Sequence, residues 1–300
     1  MLAAVAACAR IGIAAPLVVP NASFETPTNS FVSVDIDSWQ KTPKPDWYVE
    51  NGGFLWSQLV GGFRNTTATS PDHIDNCDGN QAIWLFAVPE VGLFQDYDSV
   101  DWNDTEPTHA FDARFNVGKG YRLAFGIFVG TSAGVPMQDG VTMEASLYYR
   151  DASSNRVIVA ATTVTNTGAV TANQNHFLDF RVTAPPVQGG DAWAGQNIGI
   201  QLLSTVESNM QGGYWVVDHI RLTEFEPPAL TSPARVNGQF QFQMKSEPGF
   251  AFEILAAEDA TFPASTSASL AVWTNVSGTA TFVDTNAGFG QRYYRASLLP

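Results

Sequence analysis

Apolar and polar residues alternate in short runs along most of this chain, and the runs are broken by Gly, Pro, Asn and Asp. Helical spacing is nearly absent. Alternation places successive side chains on opposite faces of a strand, so the pattern predicts antiparallel sheets with one face buried. The clearest strands fall at 81–87, 109–117, 121–129, 141–149, 156–163, 176–182, 198–204 and 214–222. Turn signals separate them at Gly118-Lys119-Gly120, Asp139-Gly140, 151–155 and Gly189-Gly190. Such a set over about 200 residues matches a jelly-roll sandwich. Past Pro227 and Pro228 the texture changes. Five shorter strands follow at 238–244, 250–256, 270–275, 279–283 and 291–297, with strict alternation in Gln239-Phe240-Gln241-Phe242-Gln243-Met244.

The expected organisation is therefore all-β. A signal-like or disordered segment covers 1–15, a jelly roll 16–226, a Pro-rich linker 227–235, and a small fibronectin or immunoglobulin-like β domain 236–300. The first segment is Ala-rich and apolar around Ile13-Ala14-Ala15, which points to a secreted or cell-surface protein, although no basic region precedes it. An ordinary first strand is the other reading. No stretch is apolar over enough residues to span a bilayer.

Composition narrows the partners. Of 300 residues only 15% are charged, and the formal net charge is −14. Nucleic-acid binding rests on Lys and Arg neutralising phosphates, so that class is excluded as an expectation. Acidity suits calcium, which takes oxygen ligands, and it equally suits plain solubility. The two cysteines are Cys8 and Cys77; no Cys/His spacing suggests zinc. The histidines form no H-E-x-x-H, and no G-x-S-x-G or P-loop occurs. His219 follows Asp218, but neighbours in a regular strand face opposite ways. These absences lead to the expectation that the chain is not an enzyme.

Several segments resemble a known group. Val19-Pro20-Asn21-Ala22-Ser23-Phe24-Glu25 opens the first domain, 214–222 with Asp218-His219-Ile220-Arg221-Leu222 closes it, and Asp78-Gly79-Asn80-Gln81 lies between. Together they resemble the galactose-binding-like carbohydrate-binding modules. The resemblance implies a jelly roll in which Glu25 and Asp218 meet and share a structural calcium, with Asp78 as a further contributor. Without calcium, the same carboxylates would cap turns or face solvent. It also implies a glycan or polysaccharide partner, with Trp47, Tyr48, Trp56 and Trp102, all in irregular segments, as the stacking platform. Trp39, Trp84 and Trp215 read as core, and Trp193 is left open. The smaller domain resembles the C-terminal β modules of secreted bacterial proteins and implies surface presentation. The leading expectation is a secreted, non-catalytic glycan-binding protein. The alternative is a structural or adhesive β-sandwich of the envelope or matrix that self-associates.

Overall fold

The computed structural model describes residues 14–299 apart from 52, 131–135, 172–174, 211, 262–266 and 286–291. The signal-like segment therefore lies almost wholly outside the described residues. The chain divides into a larger unit, Pro16–Val117 with Tyr121–Thr223, and a smaller one that holds Gly118–Gly120 and the chain from Glu224 onward. Nearly all regular structure is strand, as the alternation predicts.

The strands of the larger unit are β1 (Ala15–Leu17), β2 (Val32–Ser33), β3 (Gln40–Lys41), β4 (Val60–Arg64), β5 (Gln81–Phe86), β6 (Gly92–Gln95), β7 (Gly120–Gly130), β8 (Thr142–Arg150), β9 (Arg156–Thr165), β10 (Leu178–Ala184), β11 (Gly199–Ser204) and β12 (Tyr214–Phe225). One sheet runs β10-β7-β12-β5-β4-β2, with β1 also on β12, and the other runs β3-β6-β11-β8-β9. Ile83, Leu85, Leu123, Phe125, Trp215 and Val217 of the first sheet pack against Leu93, Met143, Leu147, Ile200 and Leu202 of the second in one continuous core. Full burial of each such side chain contributes on the order of 1.5–3 kcal/mol.

The expected strand at 109–117 is a correction. Phe111 and Phe115 are buried there, but the backbone makes only one isolated bridge, Arg114 to Asn197. Its backbone-to-backbone bonds go to the 195–198 turn, with Phe115 N–H donating to Gln196 O and Gly195 N–H to Phe115 O. The backbone is thus paired with a turn rather than with a strand, and no ladder forms.

The smaller unit has β13 (Ala229–Val236), β14 (Gln239–Lys245), β15 (Ala251–Ala257), β16 (Ala268–Thr274), β17 (Thr279–Asp284) and β18 (Tyr293–Leu298). They form two three-stranded sheets, β13-β14-β17 and β16-β15-β18. Phe242, Met244, Phe250, Phe252 and Ile254 fill its core. The 227–235 linker is a second correction, because most of it is β13. Pro233 is tolerated since β13 is an edge strand and its register shifts between Thr231 and Ala234, where no ladder donor is needed.

Candidate functional site

The seven-stranded sheet is apolar on both faces. In β5, Ile83 and Leu85 enter the core while Ala82, Trp84 and Phe86 point the other way. In β12, Trp215 and Val217 face the core, and Tyr214 and Val216 face outward. Phe128 of β7 joins this outer cluster with Ile74, Ala82, Phe177 and Val216. A sheet covered on both faces needs near-continuous apolar runs, and the sequences of β5 and the start of β12 supply them.

Over this outer face lies a cavity of about 960 Å³. Its floor is Trp84, Phe86, Phe128, Tyr214 and Val216, and its walls include Phe31, Val32, Phe54, Phe63 and Ile74. Phe86 lies 5.4 Å from Phe54 and 5.8 Å from Tyr214, ring centre to ring centre. Two glycines make room for the floor. A Cβ on Gly61, which pairs with Trp84 across the ladder, would come within 2.4 Å of the Trp84 ring, and one on Gly130 within 2.3 Å of the Tyr214 ring. Trp84 Nε1 donates to Gln58 O at 3.0 Å, which fixes the indole over β4. Large apolar side chains remain open to solvent at the rim; Phe31 is 75% exposed and Phe54 54%. Exposed apolar surface beside a concave aromatic floor is the usual form of a small-molecule site.

The polar groups of the cavity are few. Among the described residues, Asp72 and Arg64 are its only charged lining residues. Burial raises the Tyr214 phenol above its ordinary value, and the Asp72 carboxylate adds to the rise. Neither Asp72 nor Arg64 has an ion-pair partner among the described residues.

The sequence-predicted residues fall elsewhere. Trp47, Tyr48 and Trp56 do come together, with ring centres 5.0–6.2 Å apart and all three pairs edge-on. Their polar atoms are used locally: Trp56 Nε1 donates to Thr42 O at 2.7 Å, Trp47 Nε1 to Glu90 at 3.0 Å, and the Tyr48 hydroxyl to Phe54 O at 2.8 Å. Trp56 is buried. The trio anchors its own loop and none of it lines the cavity. Trp102 is exposed and apart from them, its backbone N–H donating to Asp37. Trp39 and Trp215 are core, whereas Trp84, read as core, lines the cavity. Trp193 packs against the core edge-on to Phe115.

Glu25 and Asp218 converge on one turn. Glu25 Oε1 accepts the N–H groups of Asn80 and Gln81, both at 2.7 Å, and Asp218 Oδ2 accepts that of Asp78 at 2.8 Å. Gly79 is required between them: its φ is +92°, and a Cβ there would meet Glu25 Oε1 at 2.5 Å. Asp78 is exposed, and its bond to this turn is the one its N–H donates to Asp218. Burial pushes the Asp218 carboxyl up to about 7, and its Oδ1 has no hydrogen-bond partner. His219 is a correction. Its φ of 60° interrupts the alternation of β12, and its Nε2 comes within 3.8 Å of Asp218 Oδ2 instead of facing away. The same bulge leaves Ile220 and Leu222 on the core side. Cys77 is free, and burial and the nearby Asp218 hold its thiol far above the usual range.

No family model and no curated protein matches the chain. Solved structures do. A Stig cyclase, Fisc from Fischerella sp. TAU in complex with (3Z)-3-(1-methyl-2-pyrrolidinylidene)-3H-indole, is similar at 20% identity over 71% of this chain and 98% of that one, with a TM-score of 0.51. A cyclase from the same organism in complex with 4-(1H-indol-3-yl)butan-2-one shares 19% identity over 71% and 98% of the two chains, again at 0.51. A further cyclase structure from that source gives 19%, 70% and 97%, at 0.51. The jelly-roll-like fold is shared with these proteins. This corrects the expectation of a non-enzymatic glycan-binding or adhesive protein: the chain shares the architecture of enzymes, and its concave aromatic surface is not the one the loop tryptophans suggested.

Proposed function

We propose that the larger unit is a cyclase-type enzyme that binds a flat, largely apolar aromatic molecule of the indole class in the cavity over β4, β5, β12 and β7. The observation that carries this reading is the aromatic floor of Trp84, Phe86, Phe128 and Tyr214 with a single carboxylate, Asp72, at its edge. The fold likeness to cyclases crystallised with indole compounds supports it. Asp72 is the proton carrier. It protonates an unsaturated carbon of the substrate side chain; the cation so formed is attacked by a ring carbon, which forms the new C–C bond; and the ring proton returns to the carboxylate. The step is an isomerisation and needs no oxidant. The faces of Trp84 and Phe86 stabilise the developing positive charge through their negative quadrupoles.

The test uses 4-(1H-indol-3-yl)butan-2-one as probe. Calorimetry should show saturable binding that Trp84→Ala weakens at least about tenfold, since base- or ring-stacking on an aromatic contributes about 1–3 kcal/mol. Asp72→Asn should retain binding and slow the cyclisation of an alkenyl-substituted indole by about 10²–10⁴-fold. No saturation by the probe, or unchanged binding in Trp84→Ala, overturns the reading.

Calcium belongs to this proposal as a structural ion at Glu25 and Asp218. What supports it is the unpartnered, buried Asp218 Oδ1 beside a second carboxylate on the same turn. A buried carboxylate without compensation is costly, and a cation offsets it. Among the described residues no three His, Cys, Asp or Glu side chains form a cage, so backbone carbonyls must complete the ligand set. A chelator should lower the melting temperature and calcium restore it; an unchanged transition removes the ion.

A further inference from the structure

Arg64 sets the second half of the cavity. It ends β4 and is paired in register with Gln81, the first residue of β5, and its N–H donates to Phe31 O at 2.8 Å. Tyr214 is in register with Phe86, at the opposite end of β5. At about 3.3 Å per residue, these two levels lie about 17 Å apart along the strand, with Trp84 about 10 Å from the Arg64 level. The levels of the Tyr214 phenol-bearing residue and of the Arg64 cation thus lie at opposite ends of β5. Arg64 is the only Lys or Arg in the lining and has no ion-pair partner among the described residues. On a chain of net charge −14, several other cationic side chains already pair with carboxylates: Lys44 with Glu50, Arg114 with Asp112, Arg150 with Asp96, Arg221 with Asp179. A guanidinium left free at the wall of an aromatic cavity is suited to a planar anion, which it holds through two parallel N–H donors.

We infer that the substrate is an elongated aromatic molecule carrying a carboxylate, whose ring stacks on Trp84 and whose anionic tail is held by Arg64. This rests on the proposed cavity site and deepens it: Arg64 becomes the residue that selects an anionic substrate over a neutral one. An aliphatic tail of a few carbons from a ring on Trp84, together with the length of the arginine side chain, spans the distance to the Arg64 level. The cavity volume, at the upper end for a small-molecule site, leaves room for such a tail beside the ring.

The experiment compares two probes that share an indole and differ in the tail, neutral 4-(1H-indol-3-yl)butan-2-one and anionic 4-(1H-indol-3-yl)butanoate, by calorimetry on the full chain. The butanoate should bind about tenfold more tightly, as a charge-assisted hydrogen bond gives. Arg64→Gln should remove the advantage of the butanoate over the ketone, and Arg64→Lys should restore part of it. Added salt should weaken only the butanoate. Equal affinities in the natural protein, or a preference that survives Arg64→Gln, overturn the role of Arg64 and leave the cavity reading intact. If neither probe binds, both fall. An unaltered circular dichroism spectrum and melting temperature of Arg64→Gln show that the variant is folded.

Discussion

The two sheets of the larger unit share one core yet turn unlike faces outward. On the five-stranded sheet the outer surface is closed by charge. The Tyr148 hydroxyl donates to Asp96 at 2.6 Å, Arg150 pairs with the same carboxylate at 2.7 Å, and the guanidinium groups of Arg150 and Arg156 lie 5.8 and 4.3 Å from the Phe94 ring. The hollow beside this cluster holds about 90 Å³. On the seven-stranded sheet the outer surface is aromatic, has one unpaired cation and one unpaired anion in its lining among the described residues, and leaves about 960 Å³ open. The difference teaches where a sandwich places function. The core consumes one face of each sheet. A face that is apolar beyond that need must be covered or must bind something, and a face locked by ion pairs does neither.

Four measurements break or sharpen this contrast. The largest effect belongs to the shared core: Trp215→Ala should cost about 3–5 kcal/mol in a denaturant titration, whereas Trp84→Ala, on the cavity floor and part-exposed, should cost less than half of that. Equal costs would mean that the outer face is as structural as the inner one. Next, Gly61→Ala drives a methyl to 2.4 Å from the Trp84 ring and 2.5 Å from Ser33 O. It should cost about 1–3 kcal/mol as overpacking and weaken the indole probe as well; a loss of stability with full binding would uncouple Trp84 from the site. Third, Tyr148→Phe removes the hydrogen bond to Asp96 and should cost about 2 kcal/mol without altering probe binding, because it belongs to the closed sheet.

The smallest effect is a pH dependence. Burial lowers Lys41 from the ordinary lysine value of 10.5 to about 8. The unfolded chain therefore holds the proton across that interval while the folded chain has released it. Stability rises with pH through the window, and the penalty for the charged form is fully present below pH about 8. Lys41→Met should accordingly gain relative to the natural chain at pH 7 and lose that advantage by pH 10. A difference that does not change with pH would show that the Lys41 ammonium is solvated.

The strands were legible because alternation and turn residues are local properties. The cavity was not. Trp84 lies inside a strand and was expected in the core, yet the informative signal was the unbroken apolar run through β5 and the start of β12, which means two covered faces rather than one. Trp47, Tyr48 and Trp56 stood out because they occur in irregular chain, but position in a loop does not say what an aromatic packs against, and here they pack on each other. Nothing in the sequence ties Asp72 or Arg64 to a cavity, since only the folded arrangement reveals which segment overlies the sheet. The Glu25–Asp218 juxtaposition, by contrast, followed from the opening and closing segments. The 227–235 linker failed for a physical reason: prolines argue against an inner strand and are compatible with an edge.

His219 changes the parity of β12. Before it, even-numbered positions look toward the cavity and odd-numbered ones toward the interior; after it, Ile220 and Leu222 take the interior places. One continuous strand thereby serves two surfaces on separate schedules. Residues at its start are free to diverge with whatever occupies the cavity, while those past the bulge keep their seats, so new ligand preferences can arise there without renegotiating the interior.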